Sequence, residues 1–110
     1  MSYGIRSVAV NATADGENEV IAAVAGKRIM VVGGVLTSWH ATAGAQIDLR
    51  SGTSNTVHAR FQSGLVNAPA IITLQGDEAS PCFECDIGDS LALNNAAGVD
   101  TTGFIKYMWR

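Results

Sequence analysis

Two stretches of strict alternation limit what this chain folds into. In Ala45-Gln46-Ile47-Asp48-Leu49-Arg50 apolar and polar residues take turns, and Thr56-Val57-His58-Ala59-Arg60-Phe61-Gln62 repeats the pattern. Successive side chains of an extended chain point to opposite faces, so this period marks half-buried β-strands. It places Ile47, Leu49, Val57 and Phe61 against a core, and Gln46, Asp48, Arg50, His58, Arg60 and Gln62 in water. The intervening Ser51-Gly52-Thr53-Ser54-Asn55 has loop composition and joins the two as an antiparallel hairpin.

Other segments are apolar on both faces. Strands are expected at Ile5–Asn11, Glu19–Val24, Arg28–Ser38, Ile71–Gln75, Cys82–Cys85, Ser90–Asn94 and Gly103–Trp109. Turn residues bound them, among others Asp15-Gly16, Gly76-Asp77, Gly88-Asp89 and Asn94-Asn95. Short strands at ~8–12-residue spacing imply an all-β fold, an antiparallel, jelly-roll-like β-sandwich of about eight strands. Residues 17–25 carry a competing signal, because early acids, internal alanines and Gly26 resemble helix start and stop marks. The β-branched Val20, Ile21 and Val24 favour a strand there. With no internal repeat or linker, residues 1–110 read as one domain, in which 1–12 form an N-terminal strand or contact arm.

Composition excludes several classes of function. Hydrophobic residues make up 47% of the chain and charged ones 15%, against roughly 25% charged in an average soluble domain. That rules out intrinsic disorder. A net charge of −3 with seven basic residues argues against nucleic acid as a partner, since phosphate contacts need clustered Lys and Arg. The most apolar stretch, Val20 to Leu36, is interrupted by Lys27-Arg28, so no membrane-spanning helix is expected. The N-terminus lacks a secretory pattern, and two cysteines do not make a disulfide scaffold, so synthesis in a reducing cytoplasm is expected.

The residues able to carry chemistry are few. Cys82-Phe83-Glu84-Cys85 has the spacing of a redox pair or half a zinc site. No helical period follows it, His40 and His58 are isolated, and positions three apart on a strand point to opposite faces. Ordinary cysteine packing is the preferred reading. His40, after Trp39, and His58, on the polar face of its strand, read as solvated or subunit-facing, because no nucleophile lies in a recognisable elbow. The acids mostly flank turns, and two Trp, two Tyr and three Phe are few for a sugar-cleaving cleft. Asp86-Ile87-Gly88-Asp89-Ser90 is too short for a calcium loop, and Val32-Gly33-Gly34-Val35 lacks the rest of a phosphate-binding pattern. No enzyme, cofactor or metal is expected.

The charge deficit points to assembly. A domain of this size buries only about two-thirds of its unfolded surface, so small uncharged residues must cover much of the outside. Charge depletion also marks the cores of protein interfaces. In the last strand Ile105, Tyr107 and Trp109 share one face, and Phe104, Lys106 and Met108 the other. Both are largely apolar, which suits either a homo-oligomer with closed symmetry or a fully buried central strand.

Glu19 to Val32 reads as an apolar run, a glycine, a basic pair and an apolar strand, an order that resembles small virion proteins of tailed bacteriophages. Leu49-Arg50-Ser51-Gly52, Pro81 to Cys85, Gly88 to Asn94 and Gly103-Phe104-Ile105-Lys106-Tyr107 continue the resemblance, which runs from about Val20 onward. It implies a jelly-roll sandwich, commonly a trimer, that binds the outside of a capsid as a decoration (cement) protein or belongs to a tail or fibre. Its partners are then other copies of itself and the major capsid protein or another virion protein. It is made in the host cytoplasm and resides in the virion. Catalytic residues do not carry over. Tyr3, Ile5, Trp39 and Trp109 are the candidate contact anchors, since aromatic residues dominate interface energetics. The alternative is a lectin-like module binding sugar through Trp39 and neighbouring Asn or Asp.

Overall fold

The computed structural model describes residues 4–52 and 54–110. Among them the chain forms strands and no helix: β1 (Arg6–Ala12), β2 (Gly16–Ile21), β3 (Ile29–His40), β4 (Gln46–Ser51), β5 (Val57–Gln62), β6 (Gly64–Leu65), β7 (Ala70–Gln75), β8 (Phe83–Glu84), β9 (Leu91–Asn95) and β10 (Val99–Trp109). Strand prevails in the stretch with helix signals, but only to Ile21. Cys82–Cys85 contributes only the two residues of β8, and β10 starts four residues before Gly103.

Two mostly antiparallel sheets form a β-sandwich. The first runs β1-β10-β3, and β7, β8 and β6 all pair with the remaining edge of β3. β3 is twelve residues long, so three shorter segments share that edge: β8 at Met30 and Val31, β7 from Gly33 to Ser38, β6 at Trp39 and His40. The second sheet runs β2-β9-β4-β5. Apart from the β4–β5 hairpin, the long strands pass back and forth between the sheets. Val10, Ile29, Val31, Leu36, Ile72, Leu74, Val99 and Ile105 of the first sheet meet Ile21, Ile47, Leu49, Leu91 and Leu93 of the second in one core. Removal of this apolar area from water is the main force holding the layers together.

A fully buried polar chain crosses the core near one end. Ser38 Oγ lies 3.0 Å from Thr101 Oγ1, and Thr101 Oγ1 donates to Asn95 Oδ1 at 3.1 Å. Asn95 Nδ2 donates to the carbonyl of Ala12 at 2.9 Å. Each of these groups would be costly to bury alone, and together they tie β1, β3 and β10 to β9.

The hairpin differs from simple alternation at one point. Leu49 pairs with Ala59 but Arg50 pairs with Val57, so His58 is the extra residue of a β-bulge. A bulge shifts side-chain parity by one. Val57, expected in the core, is therefore exposed, and His58, expected in water, is half-buried against the sandwich interior.

Candidate interaction face

The outer face of the first sheet is built from rows that cross four strands. Ala9, Phe104, Val35 and Thr73 stand in one row, and Asn11, Thr102, Thr37 and Ile71 in the next. Ser7, Lys106, Gly33 and Gln75 make a third. Ile71 is 72% exposed and Phe104 38%. Ile5, Val32, Val35, Thr73 and Phe104 line a shallow trough along this face. Strand parity gives it Lys106 near the middle and Asp100 and Glu84 toward opposite ends.

The outer face of the second sheet carries the opposite character. Its rows read Glu17, Asn94, Asp48, Arg60 and Glu19, Ala92, Arg50, Val57. Asp48, expected in water, is buried although it lies on this outer face. Arg50 Nη2 and Arg60 Nε donate to its two carboxylate oxygens at 2.6 and 2.9 Å and cover it. Burial pushes the Asp48 carboxyl up, but the hydrogen bonds and charges of the two guanidinium groups outweigh this and hold it below its usual range.

The candidate anchors fall in different places. Ile5, 59% exposed, forms the rim of the trough. Parity places the half-buried Trp39 on the same outer face, opposite Asp100. Trp109 stands on the core side of β10, edge to face with Tyr107 at 5.9 Å, beside a small hollow with Arg6, Val24 and Lys27. Tyr3 lies outside the described residues. Phe104 takes the second face of the last strand, as expected. Only strand register shows that Val35 adjoins Phe104, with Ile71 one row on and two strands away.

Neither histidine is a free surface group. Core-side parity takes His40 inward, and its Nδ1 accepts the amide N–H groups of Thr42 and Ala43, both at 3.1 Å, closing the turn after β3. His58 stacks flat on Phe83 and lies 2.7 Å from Ser51 Oγ. That distance is the spacing of a nucleophile and its base. Ser51 is wholly buried, however, and its oxygen also accepts the Asp86 N–H, so the pair links β4, β5 and the loop after β8. Burial lowers the His58 pKa against the raising effects of Asp86 and Asp89.

The two cysteines part company. Cys82 is exposed and Cys85 buried, and both are free. Burial pushes the Cys85 thiol up to about 11, with Ser51 opposing and Asp86 and Asp89 adding. Among the described residues, no three His, Cys, Asp or Glu side chains gather to hold a metal ion.

No family model, curated protein or solved structure matches this chain.

Proposed function

We propose that this protein is a structural subunit of a bacteriophage virion, a decoration (cement) protein that docks on the capsid through the outer face of its first sheet. The observation that carries the docking face is the partition of charge. Glu17, Glu19, Asp48, Arg50 and Arg60 crowd the outer face of the second sheet, while that of the first sets Asp100, Lys106 and Glu84 apart along its length, around Ile71, Phe104, Val35 and a field of Thr, Ala and Gly. An interface core favours that second composition. The virion assignment itself rests on the resemblance of the sequence. The order β1-β10-β3-β7 against β2-β9-β4-β5 supports the jelly-roll part of the reading, an architecture used by capsid and lectin domains alike.

The mechanism is passive. Each docked copy removes apolar area from water, at roughly 25 cal/mol per Å², and by mass action stabilises whichever shell conformation it binds. The test is cosedimentation with undecorated phage shells. Binding that saturates at a fixed copy number, and is lost in Ile71→Lys/Phe104→Ser with the urea midpoint unchanged, supports docking by this face. Absence of shell binding by the natural sequence overturns it. Saturable polysaccharide binding abolished by Trp39→Ala would put the lectin reading in its place.

A further inference from the structure

Both sheets of the sandwich end in open edges, and those edges are not alike. β1 and β2 lie side by side on one flank, and β7 and β5 form the other. From Ser7 to Ala12 β1 has no charge, and β7 has none at all. β2 carries Glu17 and Glu19, both exposed and without an ion-pair partner among the described residues. β5 carries Arg60, whose side chain is 56% exposed. Among the described residues its Nε is engaged by Asp48, and the two terminal nitrogens of the guanidinium fork remain as further donors. Glu17 and Arg60 stand at opposite ends of the same row, Glu17, Asn94, Asp48, Arg60.

Strand direction adds a second observation. Each sheet's main path has four alternating strands, so its two edge strands run in opposite directions. A copy related by rotation about an axis parallel to the strands keeps every direction. Its β5 then lies antiparallel to β2 of its neighbour, and its β7 antiparallel to β1. Long uncharged edges are what natural sheets avoid unless something pairs with them.

We propose that copies of this chain associate head to tail through these flanks, the β1–β2 side of one against the β5–β7 side of the next, with Glu17 of one copy paired to Arg60 of the other. This takes up the homo-oligomer expected from the charge deficit and names its surface. The uncharged β1 and β7 edges supply main-chain pairing, and the Glu17–Arg60 contact sets orientation and register. The interface is heterologous, so it closes into a ring when the rotation permits. It leaves the outer face of the first sheet free for a shell.

Light-scattering mass and sedimentation of the full chain, across concentration and salt, test this. The natural sequence is expected to form multimers that weaken as ionic strength rises. Glu17→Arg/Glu19→Arg blocks one flank and Arg60→Glu the other, each weakening association at least tenfold. Arg60→Ala is the gentler companion, because Arg50 still covers Asp48. Mixing the two charge-reversed variants must restore multimers, since the intact flanks meet each other and the reversed charges are again opposite in sign across the next seam. A strict monomer at all concentrations, masses indifferent to charge reversal, or a mixture that stays monomeric overturns the proposal. Multimers that ignore every shell leave this interface standing and overturn the docking reading, whereas monomers that saturate shells do the reverse.

Discussion

His58 Nε2 and Ser51 Oγ lie 2.7 Å apart because a single extra residue in β5 turns the imidazole inward. Burial lowers the pKa of that ring from its ordinary 6.5, while Asp86 and Asp89 pull the other way without prevailing. The unfolded chain therefore takes up the proton more readily than the folded one. The His58 contribution is complete above pH 6.5 and is lost as pH falls through the lower folded value. An NMR titration is expected to give His58 a midpoint below 6.5, and His58→Gln is expected to lose less stability than the natural chain between pH 7 and 5. A midpoint at or above 6.5 contradicts the buried setting.

Asp48 sets up a second pH dependence, in the carboxylate range. Its folded pKa is depressed, so its contribution is present above the ordinary 3.8 and is lost as pH falls through the folded value. Asp48→Asn leaves two guanidinium groups facing a neutral amide and is expected to cost about 1–3 kcal/mol at pH 7. The lower part of that range is favoured, because Arg60 is more than half exposed and water screens its charge. Arg60→Ala should cost about 1 kcal/mol or less. Urea unfolding at pH 7 and pH 3 separates these cases, since the Asn variant should show a smaller loss on acidification.

Alternation alone located the β4–β5 hairpin, since its period is strict and its loop composition unmistakable. It misassigned Val57 and His58 because a bulge leaves no mark in the hydrophobic pattern. Asp48 obeyed its parity but not its expected exposure. Burial there depends on Arg60, which reaches it across the hairpin. The acids at 17 and 19 look like a helix start, yet in β2 they occupy outward positions that alternate with Asn18 and Val20. Thr101 precedes the expected start of the last strand, and polar flanks hide that it is buried and bonded to Ser38 and Asn95. The charge partition between the outer faces was out of reach for a deeper reason. It depends on which strands share a sheet, which only long-range pairing decides.

Two glycines hold the long strands together. Gly103 has φ +139° and Gly34 φ +141°, in the region that side chains rarely adopt. A Cβ at Gly103 would run into the Val35 carbonyl, and one at Gly34 would come within 2.5 Å of the Phe104 carbonyl. Both obstacles are backbone in the β3–β10 ladder and have no room to yield. Gly103→Ala is expected to cost about 3 kcal/mol or more in chemical denaturation. Gly88→Ala is the control: φ is +78° but nothing lies within 4 Å of the added carbon, so about 1 kcal/mol is expected. Equal costs at the two sites would mean that backbone conformation alone, not the close approach of β3 to β10, requires the glycine.

The cysteines offer a chemical probe of the same packing. The thiolate is the reacting species, and its availability depends on both exposure and pKa. Cys82 is exposed, whereas Cys85 is 1% exposed and its thiol is pushed up to about 11. Alkylation of the native protein at pH 8, read by intact mass and peptide mapping, should place a single adduct on Cys82. Cys85 should react only after denaturant opens the contact between β3 and the 82–85 segment, where Cys82 and Cys85 donate their amides to Val31 and Ile29 at 2.8 Å. The rate of the second adduct then measures opening at that edge of the first sheet. Rapid native labelling of both thiols, or a disulfide between them, would show that this segment does not hold the conformation that keeps the two sulfurs apart.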